Sequence, residues 1–209
     1  MSPRWPAFAL ALLTAGTVQA AAQETWRFRV LLDGDEIGRH VFEARGDGAT
    51  RELVSQADFR VRLLFFDAFR YDHRATERWR GDCLESMRAR TRQNGRVDTV
   101  EAARDGEGFV VRTPRGEQRL QGCVRSFAYW NPDILRGGPL LNAQTGESVP
   151  VSVTPLGRET LSVRGRPEST RRYRLSGPDI AIDLWYAGNG DWVALESRLP
   201  SGVLRYEIL

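Results

Sequence analysis

Between Phe69 and Arg80 the chain alternates with a period of two. Phe69, Tyr71, His73, Ala75, Glu77 and Trp79 fall on one face, and Arg70, Asp72, Arg74, Thr76, Arg78 and Arg80 on the other. Successive side chains of a strand point to opposite sides, so this segment predicts a strand with an aromatic inner face and a charged, wet outer face. One wet face is the habit of antiparallel sheets. The preceding segment behaves alike: Leu53, Ser55, Ala57, Phe59, Val61 and Leu63 share one side, while Gln56, Asp58, Arg60 and Arg62 share the other. Earlier still, Trp26, Phe28, Val30 and Leu32 form one face of a strand that turns at Asp33-Gly34-Asp35-Glu36 and returns through Ile37–Ala44.

Short strands continue at Leu84–Thr91, Val97–Ala103 and Phe109–Thr113, separated by Asn94-Gly95 and Asp105-Gly106-Glu107-Gly108 turns. Alternation stops between Gly122 and Gly146, where Ser126–Leu135 and the following Arg136-Gly137-Gly138-Pro139 predict one or two helical turns. It resumes at Val149–Val153, Glu159–Val163, Arg171–Leu175, Ile180–Tyr186, Trp192–Leu199 and Val203–Ile208. About a dozen strands with so little helix predict a mainly β fold. A single antiparallel meander must curl to cover its apolar face, as a half-barrel or barrel around the short helical segment, or fold over as a sandwich. No Pro/Ser-rich linker, long charge run or internal repeat divides residues 21–209, which predicts one domain there.

Composition narrows the function classes. With 41% hydrophobic and 27% charged residues in 209, a disordered or fibrous chain is excluded. All 30 basic residues are Arg, which reads as coding bias of a GC-rich genome, and the net charge is only +3. The Arg residues are interspersed with acids and form no stripe fit for a phosphate backbone, so no nucleic-acid partner is expected. Residues 1–20 read as a secretory signal: Arg4, an apolar stretch from Ala7 to Ala15, and small residues at Val18 and Ala20 before the cleavage site. No later segment approaches the roughly 20 apolar residues of a spanning helix. The mature protein is therefore expected in the periplasm, not spanning the membrane and without a lipid-anchored amino terminus. In that oxidising compartment the only two cysteines, Cys83 and Cys123, are expected to pair.

Candidate chemistry is sparse. His73 and Glu77 lie on the aromatic face about 13 Å apart along the strand, at roughly 3.3 Å per residue, too far to touch. His40 joins them if Gly38, His40, Phe42 and Ala44 form an inner face. Ionisable groups among aromatics are costly unless satisfied, which makes these three candidates for a site. The plainer reading is satisfied core or rim histidines, with Glu77 as the buried partner of an Arg. Tyr71 and Trp79 share the face of His73, and Tyr129-Trp130-Asn131-Pro132 places two aromatics at a chain bend, where they line a cavity or plug the end of the sheet. There is no Gly-x-Ser-x-Gly and no His-x-x-x-His or Cys-x-x-Cys, so neither a catalytic nucleophile nor a metal site is indicated, and no cofactor is expected.

Ile37-Gly38-Arg39-His40-Val41-Phe42, Trp79-Arg80-Gly81-Asp82-Cys83-Leu84, Tyr129-Trp130-Asn131-Pro132, Leu140–Gly146 and Trp185-Tyr186 with Trp192 recur in an order and spacing that resembles the exported bacterial domain-of-unknown-function family 6134 over the whole mature chain. More distantly, the chain is similar to half-barrel envelope proteins of the lipoprotein-carrier type. The resemblance implies a curled sheet with a greasy cavity and no known reaction. Three function classes follow: an envelope protein that binds an apolar or lipid-like ligand through His40, Tyr71, His73, Glu77, Trp79, Tyr129 and Trp130; a structural or interaction module with a filled core; and an enzyme using an inward His or His/Glu pair as general acid or base. The first is the leading expectation.

Overall fold

The computed structural model describes residues 22–209 except 48, 64 and 65; the expected signal segment, residues 1–20, lies outside the described residues. The period-two segments become strands β1 (Ala22–Leu32), β2 (Asp35–Gly46), β3 (Thr50–Leu63), β4 (Phe66–Arg80), β5 (Cys83–Gln93), β6 (Arg96–Asp105), β7 (Gly108–Thr113) and β8 (Gly116–Gln121). A two-residue strand β9 (Arg125–Ser126) and a 3-10 helix (Pro132–Arg136) occupy the irregular stretch. Then come β10 (Gly138–Leu141), β11 (Ser148–Val163), β12 (Arg166–Gly177), β13 (Ile180–Ala187), β14 (Trp192–Leu199) and β15 (Gly202–Ile208).

All fifteen strands form one sheet in the order 8-7-6-5-4-3-2-1-15-14-13-12-11-10-9. The expected meander is thus two meanders fused where the first and last strands of the chain pair, with Phe28 opposite Ile208 and Val30 opposite Tyr206. Every neighbouring pair is antiparallel except β9 with β10. An open sheet rarely passes about ten strands without curling, and here bulges help it bend: register shifts fall at Val30/Leu31, Val61/Arg62, Arg78/Trp79, Pro155/Gly157 and Trp185/Tyr186. The shift at Pro155 also corrects the sequence reading, which split Val149–Val153 from Glu159–Val163. They are one strand, because β10 covers β11 only up to Val151 and a proline beyond that point breaks no ladder on the uncovered side.

The inward faces of both meanders meet in one apolar cluster, in which Phe28, Trp79, Leu84, Met87, Phe109, Leu140, Leu175, Leu184 and Trp192 are fully buried. On β4 the expected faces hold residue by residue: Tyr71, His73, Ala75, Glu77 and Trp79 are buried, and Arg70, Asp72, Arg74, Arg78 and Arg80 are exposed. Gly38 is where β2 must approach β3 most closely; a Cβ there would meet the Asp58 carbonyl oxygen at 1.9 Å, so no other residue fits. On the outer face Asp183 is braced by Arg172 and by Arg174, whose Nε donates at 2.7 Å, tying β12 to β13.

Cys83 and Cys123 form the expected disulfide, with Cα atoms 5.0 Å apart. Beside it the Leu84 N–H donates to the Val124 carbonyl at 2.8 Å. Together they turn the chain leaving β8 back across β5, so that β9 and the 3-10 helix lie over one end of the curl. Asn131 caps that helix, its side chain accepting the Asp133 N–H at 3.1 Å. Arg125 ties the two ends of the segment by donating to the carbonyls of Asp133 (3.0 Å) and Gly137.

Candidate functional site

The curl does not close on itself as a filled core. Between the two meanders lies a cavity of about 810 Å³, toward the upper end of the roughly 300–1,000 Å³ typical of small-molecule sites. Leu32, Ile37, Val61, Phe69, Ile180 and Leu199, all toward one end of the sheet, form its rim. Phe42, Leu53, Phe59, Tyr71, Leu195 and Tyr206 line its walls, and Phe127 and Tyr129, from the segment after β9, reach it from the covered end. The Tyr186 hydroxyl donates to the Tyr129 carbonyl at 2.8 Å and holds that segment against β13.

His40, His73 and Glu77 all border this cavity, but each has its own partners. The pairing registers place His40, Ala57, His73 and Thr91 in one row across β2, β3, β4 and β5, so the two imidazoles stand two strands apart. His40 bonds the Ser55 hydroxyl through Nε2 at 2.7 Å and the Tyr206 hydroxyl through Nδ1 at 3.2 Å. His73 Nδ1 bonds Thr91 Oγ1 at 2.8 Å. Desolvation pulls His40 from 6.5 to about 3, with the charge of His73 adding to it. Its residual exposure is to the cavity rather than to the outer surface, since it borders that space. Desolvation likewise lowers His73 to about 4. Both rings are neutral at pH 7.

Glu77 differs from the plainer expectation: among the described residues no Arg partners it. Ser126 Oγ lies 2.9 and 3.1 Å from its two carboxyl oxygens, and Trp79 Nε1–H donates to it at 3.0 Å. Burial pushes its pKa up to about 7, opposed by the hydrogen bonds from Ser126 and Trp79. The disulfide and β9 therefore deliver Ser126 to a carboxyl from 49 residues earlier in the chain. The Tyr71, Tyr129 and Tyr206 phenols are raised by burial and stay neutral.

Of the seven residues picked out in the sequence, His40, Tyr71, His73, Glu77 and Tyr129 border the cavity; Trp79 and Trp130 do not. The two indoles sit instead at the covered end, with ring centroids 5.8 Å apart and edge to face, and Trp130 also meets Trp26 at 6.1 Å and lies under the Arg51 guanidinium at 5.5 Å. The bend places Tyr129 toward the cavity and Trp130 into the core, so the aromatic pair both lines and plugs. Sequence reasoning missed Ser55, Thr91, Ser126 and Tyr206 as partners. A small polar residue on an otherwise apolar strand face is the signal that marks Ser55 and Thr91.

Ser55 beside His40 has the reach of a nucleophile and base. Both sit in mid-strand, however, where the backbone amides that would hold an oxyanion are committed to the β1–β2–β3–β4 ladders. Among the described residues no group of three or more His, Cys, Asp or Glu is placed to hold a metal ion, and no helix is long and apolar enough to cross a membrane.

The family model described as "Domain of unknown function (DUF6134)" matches residues 28–208. No curated protein matches the chain. Among solved structures, a β-barrel-like protein of the domain of unknown function DUF1849 from Brucella abortus superposes with a TM-score of 0.67 at 13% identity, over 92% of this chain and 97% of that one. That likeness extends to the fold alone.

Proposed function

The chain belongs to the domain of unknown function family DUF6134, a membership that names no reaction, and on that premise we propose that it is an exported envelope protein that binds an apolar or lipid-like ligand inside its curled sheet. One observation carries the reading: about 810 Å³ of space whose walls are mainly aliphatic and aromatic and which a minority of polar side chains, His40, Ser55, His73 and Glu77 among them, also border. Apolar walls with few, placed polar groups describe a ligand site better than a core, and cores are otherwise packed nearly without voids. Export is supported by the signal-like pattern of residues 1–20 and by a disulfide suited to an oxidising compartment.

The filled-core module has less behind it, since the interior is not filled and the large apolar side chains most exposed among the described residues, Val97, Leu156, Leu199 and Leu209, are scattered along the chain. The enzyme reading lacks free backbone amides beside Ser55 and His40 to hold an oxyanion, since both lie within paired strands. The deciding experiment is displacement of the uncharged probe N-phenyl-1-naphthylamine from mature protein by long-chain lipids. Probe and lipid should compete for one saturable site. Ala75→Phe, which adds a ring at a wall position, should abolish probe binding, and Arg74→Ala on the exposed face should leave it intact, with thermal unfolding confirming that both variants fold. Absence of probe and lipid binding to the folded protein would refute the proposal.

A further inference from the structure

Every basic residue of the chain outside its two histidines is an Arg, and among the described residues none of them borders the cavity. On β4 the strand periodicity is the cause, since Arg70, Arg74, Arg78 and Arg80 all take outward positions; on β3 Arg51 takes the inward side but lies over the Trp130 ring at the covered end, off the border of the cavity. Among the described residues the ionisable side chains that do border the space are His40, His73, Glu77 and the three phenols. The imidazoles are each tied to a hydroxyl and held neutral by desolvation. Among the described residues the wall thus carries no positive charge and at most one negative charge, that of Glu77.

What the wall does offer is neutral hydrogen bonding. The hydroxyl of Ser55 and the ring of His40 form one polar spot, His73 a second, and the hydroxyl of Ser197 and the carboxamides of Asn142 and Gln144 also border the cavity. From this arrangement we propose that the ligand is an uncharged amphiphile, a long-chain lipid whose head carries hydroxyl or carbonyl groups, and that the cavity discriminates against the carboxylate or phosphate of an anionic lipid with the same chain. The inference rests on the ligand-binding reading above. Its physical basis is that an anion taken from water into an apolar site without a counter-charge loses hydration that nothing restores, whereas a hydroxyl or ester head exchanges water for the neutral donors and acceptors of the wall. Among the described residues a cationic head has the one carboxyl of Glu77 to meet it, and that carboxyl already accepts bonds from Ser126 and Trp79.

The test compares 1-oleoylglycerol with oleate, which share a chain and differ in the head, as competitors of N-phenyl-1-naphthylamine at pH 8, each used below its aggregation threshold. Oleoylglycerol should bind at least about tenfold more tightly, the factor that corresponds to 1.4 kcal/mol. Gln144→Arg puts a cation on the border of the cavity at an exposed position and should narrow that preference severalfold by improving oleate alone. Oleate binding as tightly as oleoylglycerol would overturn the inference while leaving ligand binding itself standing. A preference that Gln144→Arg does not move would also overturn it, because wall charge would then not be the cause. If the probe binds nowhere and neither lipid binds, the parent reading fails and this one with it.

Discussion

Replacing Glu77 by Gln isolates the energetic consequence of a carboxyl held in the greasy interior. In the folded protein its pKa stands at about 7 against an ordinary 4.5, which makes the ionised folded form less stable by about 3 kcal/mol at roughly 1.36 kcal/mol per pKa unit. The folded value is raised, so the contribution is fully present below pH 4.5, where folded and unfolded chains both hold the proton. Between 4.5 and about 7 only the folded chain keeps it, and stability falls as pH rises; above about 7 the loss is complete. His73 works in the opposite sense. Its pKa is lowered to about 4, so its contribution is present above 6.5 and lost as pH falls toward 4. His40, lowered to about 3, adds to it in the same sense, and both overlap and offset the effect of Glu77 in the wild-type profile, which is why the variant is needed. Gln preserves the shape and an acceptor for the Trp79 N–H while removing the titration. Urea unfolding followed by Trp emission from pH 4.5 to 8.5 should show Glu77→Gln gaining about 3 kcal/mol on the wild type across that range. A difference that stays flat with pH would refute a desolvated carboxyl at this position.

Mature protein should contain no titratable thiol until it is unfolded and reduced, and the Cys83→Ser/Cys123→Ser double variant should lose about 4 kcal/mol, the chain-entropy value for a loop closed across a separation of 40 residues; free thiols in freshly isolated material would contradict this. Gly38→Ala should cost about 2 kcal/mol or more, lowering the melting temperature by about 4–8 °C, because the new Cβ meets backbone at 1.9 Å. Gly188→Ala, with open space around it, should be near neutral, and equal melting temperatures for the two variants would remove the case for close approach of β2 to β3.

Periodicity made β4 and the inward half of β3 readable because each has one wet face, and each residue's side follows from counting by two. The same rule was silent on β8, Gly116–Gln121, whose side chains are nearly all exposed: an edge strand with no buried face leaves no alternation to see. It was silent too on β9 and β10, which are too short for a period, and on the pairing of β1 with β15, a contact between the two ends of the described chain that no local pattern encodes. Within the site, His40, His73 and Glu77 were legible as polar interruptions of apolar faces. Their partners were not, because Ser126 reaches Glu77 through the disulfide and the turn after β8, and Tyr206 reaches His40 across β1. Trp130 misled for a related reason: adjacent aromatics at a bend point to opposite sides, and nothing local says which one meets the cavity.

Why the interior stays open can be argued from side-chain size. Many of the inward positions are large, and a curl made only of such residues would pack to the density of an organic crystal. Several wall positions, however, are small: Ser55 on β3, Ala75 on β4, Ser197 on β14, with Ala143 and Ser201 from the connecting loops. Ser55 and Ala75 face each other directly in the β3–β4 register. A Leu or Phe at either would fill space at no cost in patterning, since the alternation tolerates any apolar residue there. Small side chains placed opposite one another on a buried face give up apolar contact that larger ones would make, roughly 0.8 kcal/mol for each methylene left out. On the proposed ligand-binding reading something else occupies the space and offsets that loss, and paired small residues on the inner face of a long curled strand are then the sequence-level mark by which a ligand cavity differs from a core.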